Sequence, residues 1–376
     1  MVIKFNNWRE NRLAAFGRMF VLSLAACILF ACGVQAAAPS VLAESAILIN
    51  ARTGAVIFEK NADIRRAPAS MTKMMTCILC LETKGLNAEF KVTQAAAATE
   101  DSYLEMKGGE RLLSGELLQE MMMESDNGAA VVVAQNVSGS VLKFADLMNE
   151  KAKEIGCRKT HFSNPNGLTA KWHYSTARDM SKIAAYCMKN PDFRNLVSKK
   201  NAVIHWASPA GRTYKSETTN ELLGRYSGAN GIKTGWTNAA RGCVAASAKR
   251  GDVELIAVVM KSKDHDTRFS DARKLLDYGF SVGGEGKIVA EDPVSVKPKR
   301  LPDVSRPGAT PKRATAPAAS PAPKAAATPA VTSVSKTTGT PAVSSASEAN
   351  ARPVATAAPA AKNTGIRMPV VRRPGA

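Results

Sequence analysis

GCVAASAKRGDVELIAVVMK, residues 242–261, is the stretch on which the architecture turns. Two apolar runs of strand length flank Arg250-Gly251-Asp252, so the stretch reads as two antiparallel neighbours in a sheet. Working outward, RFSDARKLLDYGF (268–280) follows as an amphipathic helix, and GIKTG (231–235) precedes as a further strand. Near the start of the folded region, AILINARTGAVIFEK (46–60) has the same two-strand pattern, turning at Arg52-Thr53-Gly54. From Ser70 to about residue 200 the runs become helix-length, as in MTKMMTCILCLETKG (71–85) and in ELLQEMMME (116–124), where Leu117, Leu118, Met121 and Met122 recur at helical spacing. Strands at both ends with helices between them imply an α+β fold: one antiparallel sheet flanked by helices, with a mostly helical insert.

The 376 residues are not all of this kind. Residues 1–36 read as a signal peptide, with Lys4, Arg9, Arg12 and Arg18 before an apolar run from Met19 to Val34 and small residues at its end. Cys27 and Cys32 each suit lipid attachment, which would tether the product; simple cleavage is the default expectation. One folded domain is expected over 40–283, with a short linker or remnant strand at 284–300 and a disordered basic tail rich in Ala, Pro, Ser and Thr at 301–376. From residue 297 onward there are thirteen basic and two acidic residues, so this segment carries most of the net charge of +19. The basic pI is therefore a property of the tail, and no nucleic-acid partner is implied. The tail reads as a soluble spacer, with loose contact to anionic envelope polymers or lipids as the alternative. Five cysteines remain after the leader, an odd number without framework spacing, and Cys77 and Cys80 fall in an apolar helical run that suits a core. His161, His173, His205 and His265 have no ligand spacing, so neither metal nor cofactor is expected.

Three short motifs carry chemistry: Ser70-Met71-Thr72-Lys73, Ser125-Asp126-Asn127 and Lys233-Thr234-Gly235. Ser70 heads a helical run, where backbone N–H groups and the helix dipole favour an oxyanion. Lys73, three residues on, shares its face and would act as general base, provided that burial and a second cation such as Lys233 depress its pKa. Ser125 would relay a proton to the leaving amine, and Asn127 would bond the substrate's peptide group while Asp126 holds the loop. Lys233 and Thr234 would bind a free carboxylate, and Gly235 would leave room for a substrate along the strand. Strand alternation alone aims Lys233 and Gly235 to one face and Thr234 to the other. The N–H groups of Ser70 and Trp236 are candidates for the oxyanion hole.

With these motifs stand FEKNADIRRAPAS (58–70), SNPNGL (163–168), HYSTARDM (173–180), TNELL (219–223) and GANGIKTGWT (228–237). Together they resemble the D-alanyl-D-alanine carboxypeptidases of serine peptidase family S11, the low-molecular-weight penicillin-binding proteins. The resemblance implies a β-lactamase/transpeptidase-like fold, peptidoglycan stem peptides as substrates, loss of the terminal D-Ala through an acyl-enzyme on Ser70, inhibition by β-lactam antibiotics, and a periplasmic or other extracytoplasmic site of action, free or membrane-associated. Two alternatives are a class A-like β-lactamase, whose E-x-x-L-N segment is missing here, and a non-catalytic penicillin-fold module that binds the envelope. The sequence departs from the family at Gly128, where an acidic residue is usual, and after Phe280, where many members continue into a β-rich domain and a membrane-anchoring helix.

Overall fold

The computed structural model describes residues 37–286. The signal-peptide reading, the lipidation sites, the greater part of the 284–300 linker and the basic tail lie outside the described residues.

Two sheets organise the fold. The larger has the order β2-β1-β9-β8-β7, all antiparallel, built from β1 (Ser45–Asn50), β2 (Val56–Lys60), β7 (Ala229–Thr237), β8 (Arg241–Arg250) and β9 (Val253–Ser262). Its central strands are apolar almost throughout because both faces are covered. Ala46, Leu48, Val244, Ala246, Leu255, Ala257 and Val259 face a C-terminal helix, here α8 (His265–Ser281), through Phe269, Ala272, Leu275 and Leu276. Ile47, Ile49, Ile256, Val258 and Met260, which alternate with them, face the helical layer. Gly279 sets the spacing of α8, since a Cβ there would stand 2.6 Å from Leu255 and 2.8 Å from Leu48.

The helical layer holds α1 (Lys73–Thr83), the short α2 (Gln94–Ala97), α3 (Ser114–Met123), α4 (Asn127–Ser138), α5 (Val141–Ile155), α6 (Ala177–Cys187) and α7 (Pro191–Ser198). Side-chain caps start several of them. Asp126 accepts from Ala129 N at 2.6 Å, and Thr176 and Asn190 do the same for α6 and α7, satisfying N–H groups that the first turn leaves free. Cys77, Cys80 and Cys187 are buried in this layer, and burial raises each thiol above its ordinary range, so they pack as apolar groups.

A second sheet, of order β3-β4-β5-β6, was not expected from the sequence; it comprises β3 (Glu89–Lys91), β4 (Arg111–Leu113), β5 (Asn201–Ser208) and β6 (Thr213–Glu217). The first two strands have three residues each and bury only Phe90 and Leu112, too little to register as a period. In β5 only Ile204 and Trp206 are buried.

Candidate active site

Ser70 sits in a 3-10 turn, Ala69–Thr72, that runs directly into α1. The turn is held tightly on both sides. A Cβ at Gly235 on β7 would lie 3.0 Å from Ser70 N, and one at Gly167 would lie 2.0 Å from Ala69 O. Gly235 thus makes room for the Ser70 turn itself, where the sequence assigns that room to a substrate. Gly167 combines this contact with a φ of 94°, which also favours glycine.

Lys73 is fully buried, and three oxygens surround its amine: Ser70 Oγ at 2.9 Å, Asn127 Oδ1 at 2.7 Å and Asn166 O at 2.7 Å. None of the three is a carboxylate. Burial foremost, and the charge of Lys233 after it, hold the Lys73 pKa well below the ordinary lysine value, against the opposing pull of Asp126 and Asp101. A neutral amine has two N–H donors and a lone pair. Asn127 Oδ1 and Asn166 O can only accept, so in the neutral amine they would take the two donors and leave the lone pair for the Ser70 hydroxyl.

The loop that supplies Asn166 is SNPNGL. Pro165 O accepts from Thr76 at 2.6 Å, and Asn164 Oδ1 accepts from Gly167 N at 2.7 Å. His173 pins the loop to the Ser70 turn: its Nδ1 accepts from Ser163 N at 3.0 Å, so Nε2 carries the proton and donates to Thr72 Oγ1 at 2.8 Å. Burial lowers the His173 pKa to about 4, which keeps the ring neutral.

An open cleft of about 390 Å³ runs in front of Ser70, and Ser125, Asn127, Thr234, Gly235 and Trp236 line it with Ser70. The three motifs therefore converge on one cavity. Ser125 has a φ of 77°, and its Oγ is buried without a hydrogen-bond partner. Asn127 gives Oδ1 to Lys73 and one Nδ2 hydrogen to Glu100 O at 3.1 Å, which leaves its second amide hydrogen. Asp126 bonds Ser102 Oγ at 3.0 Å and Leu104 N at 2.9 Å. Gly128 has no space for a larger residue, because a Cβ would meet Ser102 Oγ at 2.2 Å.

On the opposite wall β7 is the edge strand of the larger sheet. The cleft meets this strand along its edge, so consecutive residues from Thr234 to Thr237 line it and simple alternation does not sort them. Lys233 stands behind the wall, 1% exposed, with Nζ donating to Thr234 O at 3.1 Å. The cation on the wall is Arg268 of α8, a residue the sequence reading missed. It is buried, its Nη1 donates to Gly235 O at 3.1 Å, and its Nε has no partner. Its signal was present: Arg268 falls in register with Ala272, Leu275 and Gly279 on the inward stripe of α8, where a charge is costly unless used. Trp236 stacks on His265 with ring centroids 4.7 Å apart, and Glu100, Asp101 and Glu124 line the far side of the cleft.

A serine at the head of a helix, with a buried lysine three residues on and an open sheet edge across the cleft, sits here in a fold shared with the penicillin-binding DD-peptidases. Residues 33–264 match the family described as D-alanyl-D-alanine carboxypeptidase, peptidase S11, and the chain belongs to that family. The D-alanyl-D-alanine carboxypeptidase DacF of Bacillus subtilis (strain 168) is 36% identical over 244 residues, 64% of this chain and 62% of that one. The D-alanyl-D-alanine carboxypeptidase of Streptomyces sp. (strain K15) is 34% identical over 259 residues, 65% of this chain and 89% of that one. The crystal structure of the Streptomyces K15 DD-transpeptidase superposes with a TM-score of 0.62 at 32% identity, covering 65% of this chain and 99% of that one. The match thus spans less than two thirds of the length of the Bacillus relative.

Proposed function

We propose that the protein is a serine D-Ala-D-Ala carboxypeptidase that removes the terminal D-Ala of peptidoglycan stem peptides through an acyl-enzyme on Ser70. The observation that carries this reading is the coordination of Lys73: its buried amine lies 2.9 Å from Ser70 Oγ and 2.7 Å from both Asn127 Oδ1 and Asn166 O, and none of the three is a carboxylate. Lys73 takes the Ser70 proton as Oγ attacks the carbonyl of the penultimate D-Ala. The oxyanion falls to the N–H groups of Ser70 and Trp236. The proton passes by way of Ser125 to the amine of the departing D-Ala. The carboxylate of that residue is drawn to the corner formed by Thr234 and Arg268, in the field of Lys233, and Asn127 offers its remaining amide hydrogen to the acyl side. Water then hydrolyses the ester. β-Lactams acylate the same serine. The domain at 40–283 performs this chemistry, and the leader read in residues 1–36 supports action outside the cytoplasm, in the periplasm or another part of the cell envelope.

The test is release of D-Ala from a peptide ending in D-Ala-D-Ala by the purified mature protein and by Ser70→Ala. Wild type should release D-Ala and form a stable adduct with a fluorescent penicillin, and the variant should do neither. A stable adduct without D-Ala release would favour the envelope-binding module. Rapid penicillin turnover without D-Ala release would favour the β-lactamase.

A further inference from the structure

The turn Ala170–His173 displays its two central side chains, Lys171 and Trp172, in solvent, and Trp172 is 61% exposed. Its backbone is nevertheless held in place. Ala170 O accepts from His173 N at 3.0 Å and closes the turn, and Trp172 O accepts from His161 Nδ1 at 2.6 Å. His161 and Tyr174 in turn pair through both backbone N–H groups, at 2.8 and 2.9 Å, and their rings stack with centroids 6.0 Å apart. Two cations stand over these aromatic rings: the Arg65 guanidinium 4.6 Å from the Tyr174 centroid, and the Lys171 ammonium 5.2 Å from that of Trp172. An indole on a fixed backbone loses little freedom when a partner covers it, which is the property of an interface anchor. The chemistry set out above does not use it.

The turn is continuous with the cleft. Leu168 lines the cleft, and Thr169 Oγ1 donates to Thr237 Oγ1, at the end of β7, at 3.1 Å. With the terminal carboxylate at Thr234 and Arg268 and the penultimate carbonyl at the N–H of Trp236, the peptide leaves the cleft past Thr237. It runs there toward its N-terminal end, the end through which a stem peptide hangs on its glycan strand. From Thr169 to Trp172 is at most about 11 Å of chain, the reach of three extended peptide residues. We propose that Lys171 and Trp172, with the adjoining stack of Arg65, Tyr174 and His161, form a second binding site for the glycan strand, a polymer of N-acetylated amino sugars. The inference rests on reading the cleft as the D-Ala-D-Ala site. A pyranose ring turns a face of C–H groups to the electron-rich face of an indole, and its hydroxyl and acetamido oxygens accept from ammonium and guanidinium groups. Trp and Lys also suit a lipid surface, but only the glycan accounts for the place of the turn at the exit of the cleft.

The experiment compares D-Ala release by the full chain from two substrates: a free acylated tripeptide ending in D-Ala-D-Ala, and the same terminus carried on purified, uncross-linked peptidoglycan strands. Wild type, Trp172→Ala and Trp172→Tyr are measured on both. In Trp172→Ala, kcat/KM should fall about tenfold on the strands, chiefly through KM, and stay within about twofold on the tripeptide. Trp172→Tyr should restore most of the loss. An equal effect on the two substrates, or none on either, would overturn the inference. Retention of wild type on immobilised, peptide-free glycan strands should likewise be lost in Trp172→Ala. Weaker binding of the variant to phosphatidylglycerol vesicles, with no change on the strands, would assign the turn to a lipid surface and also overturn the inference. The retention measurement does not depend on catalysis. Absence of D-Ala release by wild type would therefore defeat the functional reading, while retention abolished by Trp172→Ala would still uphold the glycan site.

Discussion

Lys73 and Lys151 both lie on helices of the same layer with buried ammonium groups, and the structure treats them in opposite ways. Lys151 on α5 meets Glu154 at 2.8 Å and Glu82 at 3.0 Å. Burial pulls its pKa down, but hydrogen bonds and charge from the two acids outweigh burial and hold it above the ordinary value. Lys73 meets a hydroxyl and two carbonyl oxygens, and burial, with the charge of Lys233 after it, holds its pKa well below the ordinary value. Burial alone therefore does not make a base. What decides is whether the neighbouring oxygens carry charge, and the structure supplies both outcomes within one layer.

The comparison is broken most severely by giving Lys73 the surroundings of Lys151. Asn127→Asp puts a carboxylate where an amide oxygen now lies 2.7 Å from Nζ. Penicillin acylation near neutral pH should fall about a thousandfold, and the acid limb of its pH profile, below which Lys73 is protonated, should move to higher pH. An unmoved limb would show that charge at this position does not control the base. The converse change removes the paired lysine. Lys151→Met leaves Glu82 and Glu154 without their cation, and denaturant unfolding should show a loss of about 4 kcal/mol, while the folded fraction still labels with penicillin.

His173 extends the comparison to a third buried base. Its folded pKa is depressed to about 4, so its stabilising contribution is complete above the ordinary histidine value near 6.5 and declines as pH falls toward 4. By about pH 4 the loss should approach 3 kcal/mol, on the order-of-magnitude scale of 1.4 kcal/mol per pKa unit. Unfolding followed from neutral to acid pH should therefore steepen less for His173→Gln than for wild type. Parallel curves would refute the assignment. The smallest change tests a cation that does not titrate in this range. Arg268→Gln should raise KM for D-Ala-D-Ala peptides about tenfold with a lesser effect on kcat, measured as initial rates of D-Ala release.

The parts of this picture that were legible in the sequence share one property, that a side-chain pattern announces them. β8 and β9 are readable because both faces of the strands are buried and the apolar runs are unbroken. Ser70, Lys73, Ser125, Asn127 and Thr234 are readable because their motifs are short and ordered. The second sheet was not, since β3 and β4 each bury a single residue. Asn166 stands out in the sequence only as part of SNPNGL, because what it gives Lys73 is a backbone carbonyl, and a main-chain oxygen has no residue signature. Arg268 was legible in principle, since it is a charged residue on the inward stripe of its helix, and it lines the cleft.

The two close approaches around Ser70 have a consequence for how catalytic order is maintained. With Gly167 against Ala69 O on one side and Gly235 against Ser70 N on the other, the Ser70 backbone has almost no free volume in which to rearrange. For the proposed nucleophile, the entropy of holding it in line would be lost once, when the chain folds, and not again at each turnover. Motion during the reaction falls instead to the peptide and to the acyl group it leaves behind.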